Sequence, residues 1–210
     1  MYSRLWQWPA RDPHFVGRSV ELGRLHGLLD VSRRVLVLGP AGLGKRSLIV
    51  EYGHRFAACY GPYGGALQAA SAGQIVAPPP SHMTTGLVLV TDGEPAAGDA
   101  PSPALLTTLR RFDRSAPAAY LVAATASEEL AHTVEREGFL VLSLPPLPDE
   151  DGLALLIACS DRHQADPLER QAARTLVAQA AGRPARLRHL ANLARTEDLS
   201  WSECLRRDLI

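Results

Sequence analysis

Residues 34–45 read RVLVLGPAGLGK, and this stretch decides the fold. RVLVL (34–38) is a short, unbroken apolar run, the pattern of a parallel strand buried on both faces. A glycine-rich loop follows at 39–44. KRSLIVEYGHRF then reads as a helix over about 45–57, with Leu48, Ile49, Tyr52 and Phe56 near one face. Strand, G-x-x-x-x-G-K and helix in that order form the setting of a phosphate loop. The physics is direct. Glycines let the chain curl around an anion with its N–H groups inward, and the next helix adds the positive end of its dipole. A compact ammonium reaches the terminal phosphates as a point charge. Of the 22 basic residues in the chain, Lys45 is the only lysine; all the others are arginine.

Working outward, the same grammar repeats. Leu22, Leu25, Leu28 and Leu29 recur at helical spacing and predict a helix over about 19–30. Residues 60–86 are rich in Gly, Pro and Ser, with only ALQAA (66–70) suited to a weak strand. LVLVT (87–91) is a second buried strand. Ser102-Pro103 is a helix start, predicting a helix over 103–112. AYLVAA (119–124) is a strand, 127–137 a helix ended by Gly138, and FLVLSL (139–144) a strand. This alternation specifies an α/β three-layer sandwich around a mainly parallel sheet. After Pro145-Pro146 the texture becomes all-helical, with segments near 149–159, 167–181, 184–195 and 201–208. Asp166-Pro167 and Ser200-x-x-Glu203 are start signals and Gly182 a stop. The expected division is an α/β core over 1–145, with an N-terminal extension, and a helical lid or subdomain over 146–210.

Composition narrows the function classes. Hydrophobic residues make up 46% of the 210, enough for a core without staples. The 22 basic and 22 acidic residues balance, which argues against a dedicated nucleic-acid binder. Cys59, Cys159 and Cys204 lie far apart and are odd in number, so neither a disulfide framework nor a CxxC zinc site is expected. The seven histidines show no metal-ligand spacing. No apolar run reaches a membrane span and MYSRLWQWPARDP lacks a signal-peptide core, so a cytoplasmic protein without membrane contact is expected.

Two positions bear on chemistry at the loop. Arg46 stands where a Walker A motif has Ser or Thr to hold Mg²⁺. Ser47, one residue on, points about 100° away on a helix and is a poor substitute. Arg46 has two readings: a cation paired with phosphate, or an arginine turned to solvent. LVLVT runs into Asp92-Gly-Glu94. A carboxylate there suits a Walker B aspartate that orders Mg²⁺, with Glu94 as a water-polarising base. The alternative is a plain Asp-Gly turn.

The chain resembles the STAND class of P-loop NTPases, which contains the NB-ARC and NACHT switch modules. Phe15-Val16-Gly17-Arg18 is similar to the class's F-V-G-R opening motif. GPAGLGK matches Walker A and LVLVTD Walker B. FLVLSLPPLPDEDGLALL is similar to the stretch that leads into the helical subdomain, and Gly182-Arg183-Pro184 stands at the G-x-P motif. The resemblance covers roughly 14–195. It implies sheet order 5-1-4-3-2 and an adenine nucleotide, ATP or ADP. That nucleotide would meet Gly39, Pro40, Ala41, Gly42, Leu43, Gly44, Lys45, Arg46 and Ser47 of the loop, the backbone of Val16, Gly17 and Arg18, and Pro184. Mg²⁺ would be held by Asp92, weakened by Arg46. There are departures. Thr125-Ala126-Ser127 lacks the class's sensor arginine, the segment before Walker B is short, and the chain stops where a winged-helix domain would begin. The expected function is a regulatory module that holds nucleotide, turns it over slowly or not at all, and signals to a partner protein or domain. The alternatives are a nucleotide-free interaction scaffold and a working ATPase.

Overall fold

The computed structural model describes residues 9–60, 64–68, 87–91, 103–115, 117–160 and 166–207. They form two compact units.

The first unit holds α1 (Ser19–Val31), β1 (Arg34–Leu38), α2 (Lys45–Phe56) and a 3-10 turn at Ala57–Tyr60. It continues through β2 (Gly64–Gln68), β3 (Leu87–Thr91), α3 (Pro103–Ser115), β4 (Tyr120–Thr125), α4 (Glu128–Arg136) and β5 (Leu140–Ser143). The five strands make one sheet in the order β2-β3-β4-β1-β5, every pair parallel. This is the order the resemblance implied, and the sheet is fully rather than mainly parallel. Parallel neighbours need crossover helices, which cover both faces and bury the strands completely. Leu36, Val88, Val90, Leu121 and Ala123 pack with Leu105, Leu109 and Phe112 of α3 and with Leu130 and Val134 of α4. The alternate residues Val35, Val37, Leu89 and Val122 are fully buried too. By the two-residue period of a strand they face the opposite layer, where α1 and α2 lie against the sheet.

Local signals set the element ends. The Ser127 hydroxyl caps α4 by accepting the Leu130 N–H, and Gly138 (φ +92) ends the chain's run beyond it. β2 lies at 64–68, two residues ahead of the expected 66–70, so the strand opens on Gly64-Gly65, which carry no apolar signal.

The second unit contains α5 (Asp149–Ser160), α6 (Pro167–Gln179), α7 (Pro184–Thr196) and α8 (Trp201–Arg206), with residues 13–18 and 42–44. Its core is Leu155, Leu156, Leu176, Leu187, Leu190 and Trp201 with their apolar neighbours. Asp166 caps α6 through the Leu168 N–H, and Ser200 and Glu203 form a reciprocal capping box on α8. The Glu169 carboxylate adds to it by accepting the Trp201 and Ser202 N–H groups. Among the described residues no helix is long and apolar enough to cross a membrane.

Candidate functional site

The glycine-rich loop leaves β1 at the carboxyl edge of the sheet. Leu38 lies between Thr125 of β4 and Ser143 of β5 in register. The Gly39 N–H donates to the Thr125 carbonyl (3.2 Å), and the Leu144 N–H donates to the Leu38 carbonyl (2.8 Å). Gly42 (φ +80) and Gly44 (φ +85) occupy the left-handed region, which explains two of the motif's glycines. Lys45 then opens α2. Its ammonium donates to the Gly39 carbonyl (2.6 Å) and the Pro40 carbonyl (2.9 Å). Arg46 is exposed and Ser47 half-buried. The first turn of α2 contains no acid and begins with two cations at the positive end of the helix dipole. That arrangement is unfavourable in isolation and is relieved by an anion.

α2 is held firmly. Leu48, Ile49 and Tyr52 are fully buried. The Tyr52 hydroxyl is hydrogen-bonded to His26 Nδ1 of α1 (2.9 Å) and to the Tyr60 hydroxyl, and its burial pushes its ionisation far above the ordinary phenol range. The Glu51 side chain is only 1% exposed. Arg11 donates to both of its oxygens (Nε to Oε2, 2.8 Å; Nη2 to Oε1, 2.6 Å), and Arg55 Nε donates to Oε1 (2.6 Å). The Arg11 hydrogen bonds hold this carboxyl below its usual range against the opposing effect of burial. Sequence reading did not find this pair, which spans 40 positions.

Thr125 is the second residue the sequence reading undervalued. It is buried at the carboxyl end of β4, beside the start of the loop, and its hydroxyl accepts the Ser127 N–H (3.2 Å). The only signal for it was its place as the last residue of a strand flanking β1. The positions assigned to Asp92 and Glu94 lie outside the described residues, as does any ligation by Asp92. Among the described residues, no group of three or more His, Cys, Asp or Glu side chains could hold a metal ion.

The second unit brings the remaining expected positions together. Gly17 and Arg18 both have φ +64. A Cβ on Gly17 would sit 2.3 Å from an Asp151 carboxylate oxygen. The Arg18 guanidinium is buried and donates to the Pro145 carbonyl (2.8 Å) and the Leu43 carbonyl (3.3 Å). Val16 packs on the helical core. Pro184 is the first residue of α7, where a missing N–H costs nothing. Its Cγ lies 3.6 Å from the point a Cβ on Gly44 would occupy, and the Ala185 N–H donates to the Gly42 carbonyl (3.2 Å). Val16, Arg18, Gly42–Gly44 and Pro184 therefore share one compact unit.

The fold has counterparts in solved structures. A Walker-type ATPase of Pyrococcus abyssi superposes with a TM-score of 0.65 at 13% identity, covering 95% of this chain and 73% of that one. The fold is that of the P-loop ATPases. C. elegans PCH-2 matches with a TM-score of 0.57 at 15% identity, over 97% of this chain and 72% of that one. A signal transduction ATPase with numerous domains (STAND) that carries a tetratricopeptide repeat sensor, from Pyrococcus horikoshii, matches with a TM-score of 0.57 at 15% identity. That match covers 87% of this chain and 30% of the other. No family model and no curated protein matches the chain.

Proposed function

We propose that this chain is a nucleotide-binding regulatory module of STAND type. It holds ATP or ADP, turns it over slowly or not at all, and transmits its state to a partner protein or domain. The carrying observation is that four carbonyls of the glycine loop are each held by a hydrogen bond. Those of Gly39 and Pro40 accept from Lys45, that of Gly42 from the Ala185 N–H, and that of Leu43 from Arg18. Among the described residues no peptide bond is cis, and a trans peptide carries its N–H opposite its C=O. Tying the carbonyls of Pro40, Gly42 and Leu43 sets the N–H groups of Ala41, Leu43 and Gly44 opposite those contacts, free to form the nest a phosphate needs, while the Gly39 carbonyl is followed by Pro40 and orients no N–H.

In this reading Gly39 to Gly44 wrap the phosphates, and Lys45 exchanges one or both carbonyl contacts for a phosphate oxygen. The N–H groups of Arg46 and Ser47 complete the cradle at the head of α2. Val16 to Arg18 and Pro184 take the adenine. Mg²⁺ fits this site poorly. Position 46 supplies a guanidinium, which has no lone pair to donate, where the metal would take a hydroxyl oxygen. No step is therefore assigned to a metal, and the roles of Asp92 as its ligand and of Glu94 as a base remain proposals from sequence. The exposed Arg46 also motivates the second reading, a scaffold that no longer binds nucleotide.

The test is to denature purified protein, identify any released nucleotide, and titrate ADP and ATP into the unmodified chain and Lys45→Ala. Loss of one charge-assisted contact, on the order of 1.5–3 kcal/mol, weakens binding by about 10- to 150-fold. Equal affinity in the two proteins refutes the phosphate-loop assignment. An unmodified chain that binds neither nucleotide selects the scaffold.

A further inference from the structure

Arg18 stands apart from the other described arginines because it is the one that is buried. It also has φ +64, a conformation costing a non-glycine residue about 1 kcal/mol or more. Such strain persists only where the surroundings over-determine it. Gly17 precedes it at the same φ, and a side chain there is excluded by Asp151. Two consecutive left-handed residues turn the chain so that the Arg18 side chain runs inward. Its planar fork then spans two carbonyls far apart in sequence, that of Leu43 at the tip of the glycine loop and that of Pro145 at the start of the helical segment. The motif's arginine was expected to contribute backbone only.

We infer that the Arg18 side chain is a positioning residue for the phosphate loop: by holding the Leu43 carbonyl it turns the Gly44 N–H toward the phosphate. This rests on the nucleotide-binding reading above. The argument is the geometry of one peptide group. The Leu43–Gly44 bond is trans, so its N–H points away from the guanidinium that holds its C=O. Gly44 at φ +85 has the conformational freedom to rotate that peptide once the carbonyl is released. Pro145 supplies the second anchor, which keeps the fork from following Leu43. Arg18 itself touches no phosphate in this assignment. Lysine at the same place keeps the charge but can present only a point donor, so it holds one carbonyl well and not two.

The test is a calorimetric titration of ADP and of adenosine into the unmodified chain, Arg18→Ala and Arg18→Lys, with thermal melts of each protein without ligand. The expected result for Arg18→Ala is a loss of ADP affinity of about 10- to 100-fold that is at least several-fold larger than the loss for adenosine, which meets residue 18 through backbone alone, and partial recovery of ADP binding in Arg18→Lys. If Arg18→Ala does not fold, Arg18→Lys and Arg18→Gln carry the same comparison, with ADP weakened more than adenosine. A variant that binds ADP as tightly as the unmodified chain overturns the positioning role. An equal loss for ADP and adenosine also overturns it, by showing a general structural prop. If the unmodified chain binds no ADP, the nucleotide reading has failed and this role falls with it, an outcome distinct from failure in the variants alone.

Discussion

Gly182→Ala tests the geometry of the helical unit most sharply, because the structure separates two costs that usually travel together. Gly182 has φ +64. A Cβ built on it would lie 2.5 Å from Pro146 Cβ, 2.7 Å from the Leu147 carbonyl oxygen and 2.8 Å from the Leu147 nitrogen. Ordinary carbon contacts are about 3.5–4.0 Å, so the overlap is on the order of 1 Å. Two of the three neighbours are backbone, which cannot rotate aside. The Leu147 N–H also donates to the Gly182 carbonyl (2.8 Å), so moving the strands of chain apart breaks that bond. The left-handed conformation costs about 1 kcal/mol, the hydrogen bond about 1 kcal/mol, and the overlap about 1–3 kcal/mol. Together they amount to about 3–5 kcal/mol. For a chain of 210 residues each kcal/mol lowers Tm by roughly 2–4 °C, so a fall of about 6–20 °C is expected by circular dichroism or calorimetry. Gly138→Ala is the internal comparison. It shares the positive φ (+92), but nothing lies within 4 Å of its Cβ position, so only the conformational cost of about 1 kcal/mol applies. If the two variants melt alike, the steric part of this reasoning is wrong.

Two further outcomes follow from named contacts. Glu51→Gln removes the buried carboxylate shared by Arg11 and Arg55, and it should lower Tm at pH 7. Because folding depresses the Glu51 pKa, the stabilisation is present above the unfolded-state value of about 4.3 and is lost as pH falls through the folded one. The Tm gap between the two proteins should therefore close below about pH 4; a gap independent of pH refutes the ion pair. Arg46→Thr restores a metal-binding hydroxyl, so nucleotide affinity and phosphate release should become more dependent on Mg²⁺, measured with and without EDTA. Brisk, EDTA-sensitive turnover in the unmodified chain would contradict the reading of Arg46 and favour the working ATPase.

The elements most legible in the sequence were those whose burial leaves a local signature. RVLVL, LVLVT and YLVAAT are apolar throughout because both faces of a parallel sheet are covered, and each emerged as a strand. The loop was legible because left-handed backbone at Gly42 and Gly44 demands a residue type that sequence displays directly. β2 was displaced by two residues because Gly64 and Gly65 enter a ladder through backbone groups alone. What sequence could not show were polar contacts between distant positions. Arg11 finds Glu51 across 40 residues, and Arg18 finds Pro145 across 127. Neither distance has a period, and an arginine aimed at backbone carbonyls has no partner residue type to betray it. Thr125 was visible as a strand end but not as a buried hydroxyl beside the loop.

The solitary lysine has a practical consequence for chemistry done on the protein. With every other basic side chain a guanidinium, Lys45 carries the only side-chain amine in the 210 residues. Amine-directed acylation therefore addresses the head of α2 and no other side chain, and a lysine-specific endoprotease has one bond to cut, that between Lys45 and Arg46. Because the ammonium is already engaged by the Gly39 and Pro40 carbonyls, the rate of its acylation follows how often those contacts open. A reagent of ordinary, unselective reactivity becomes a site-resolved gauge of the loop.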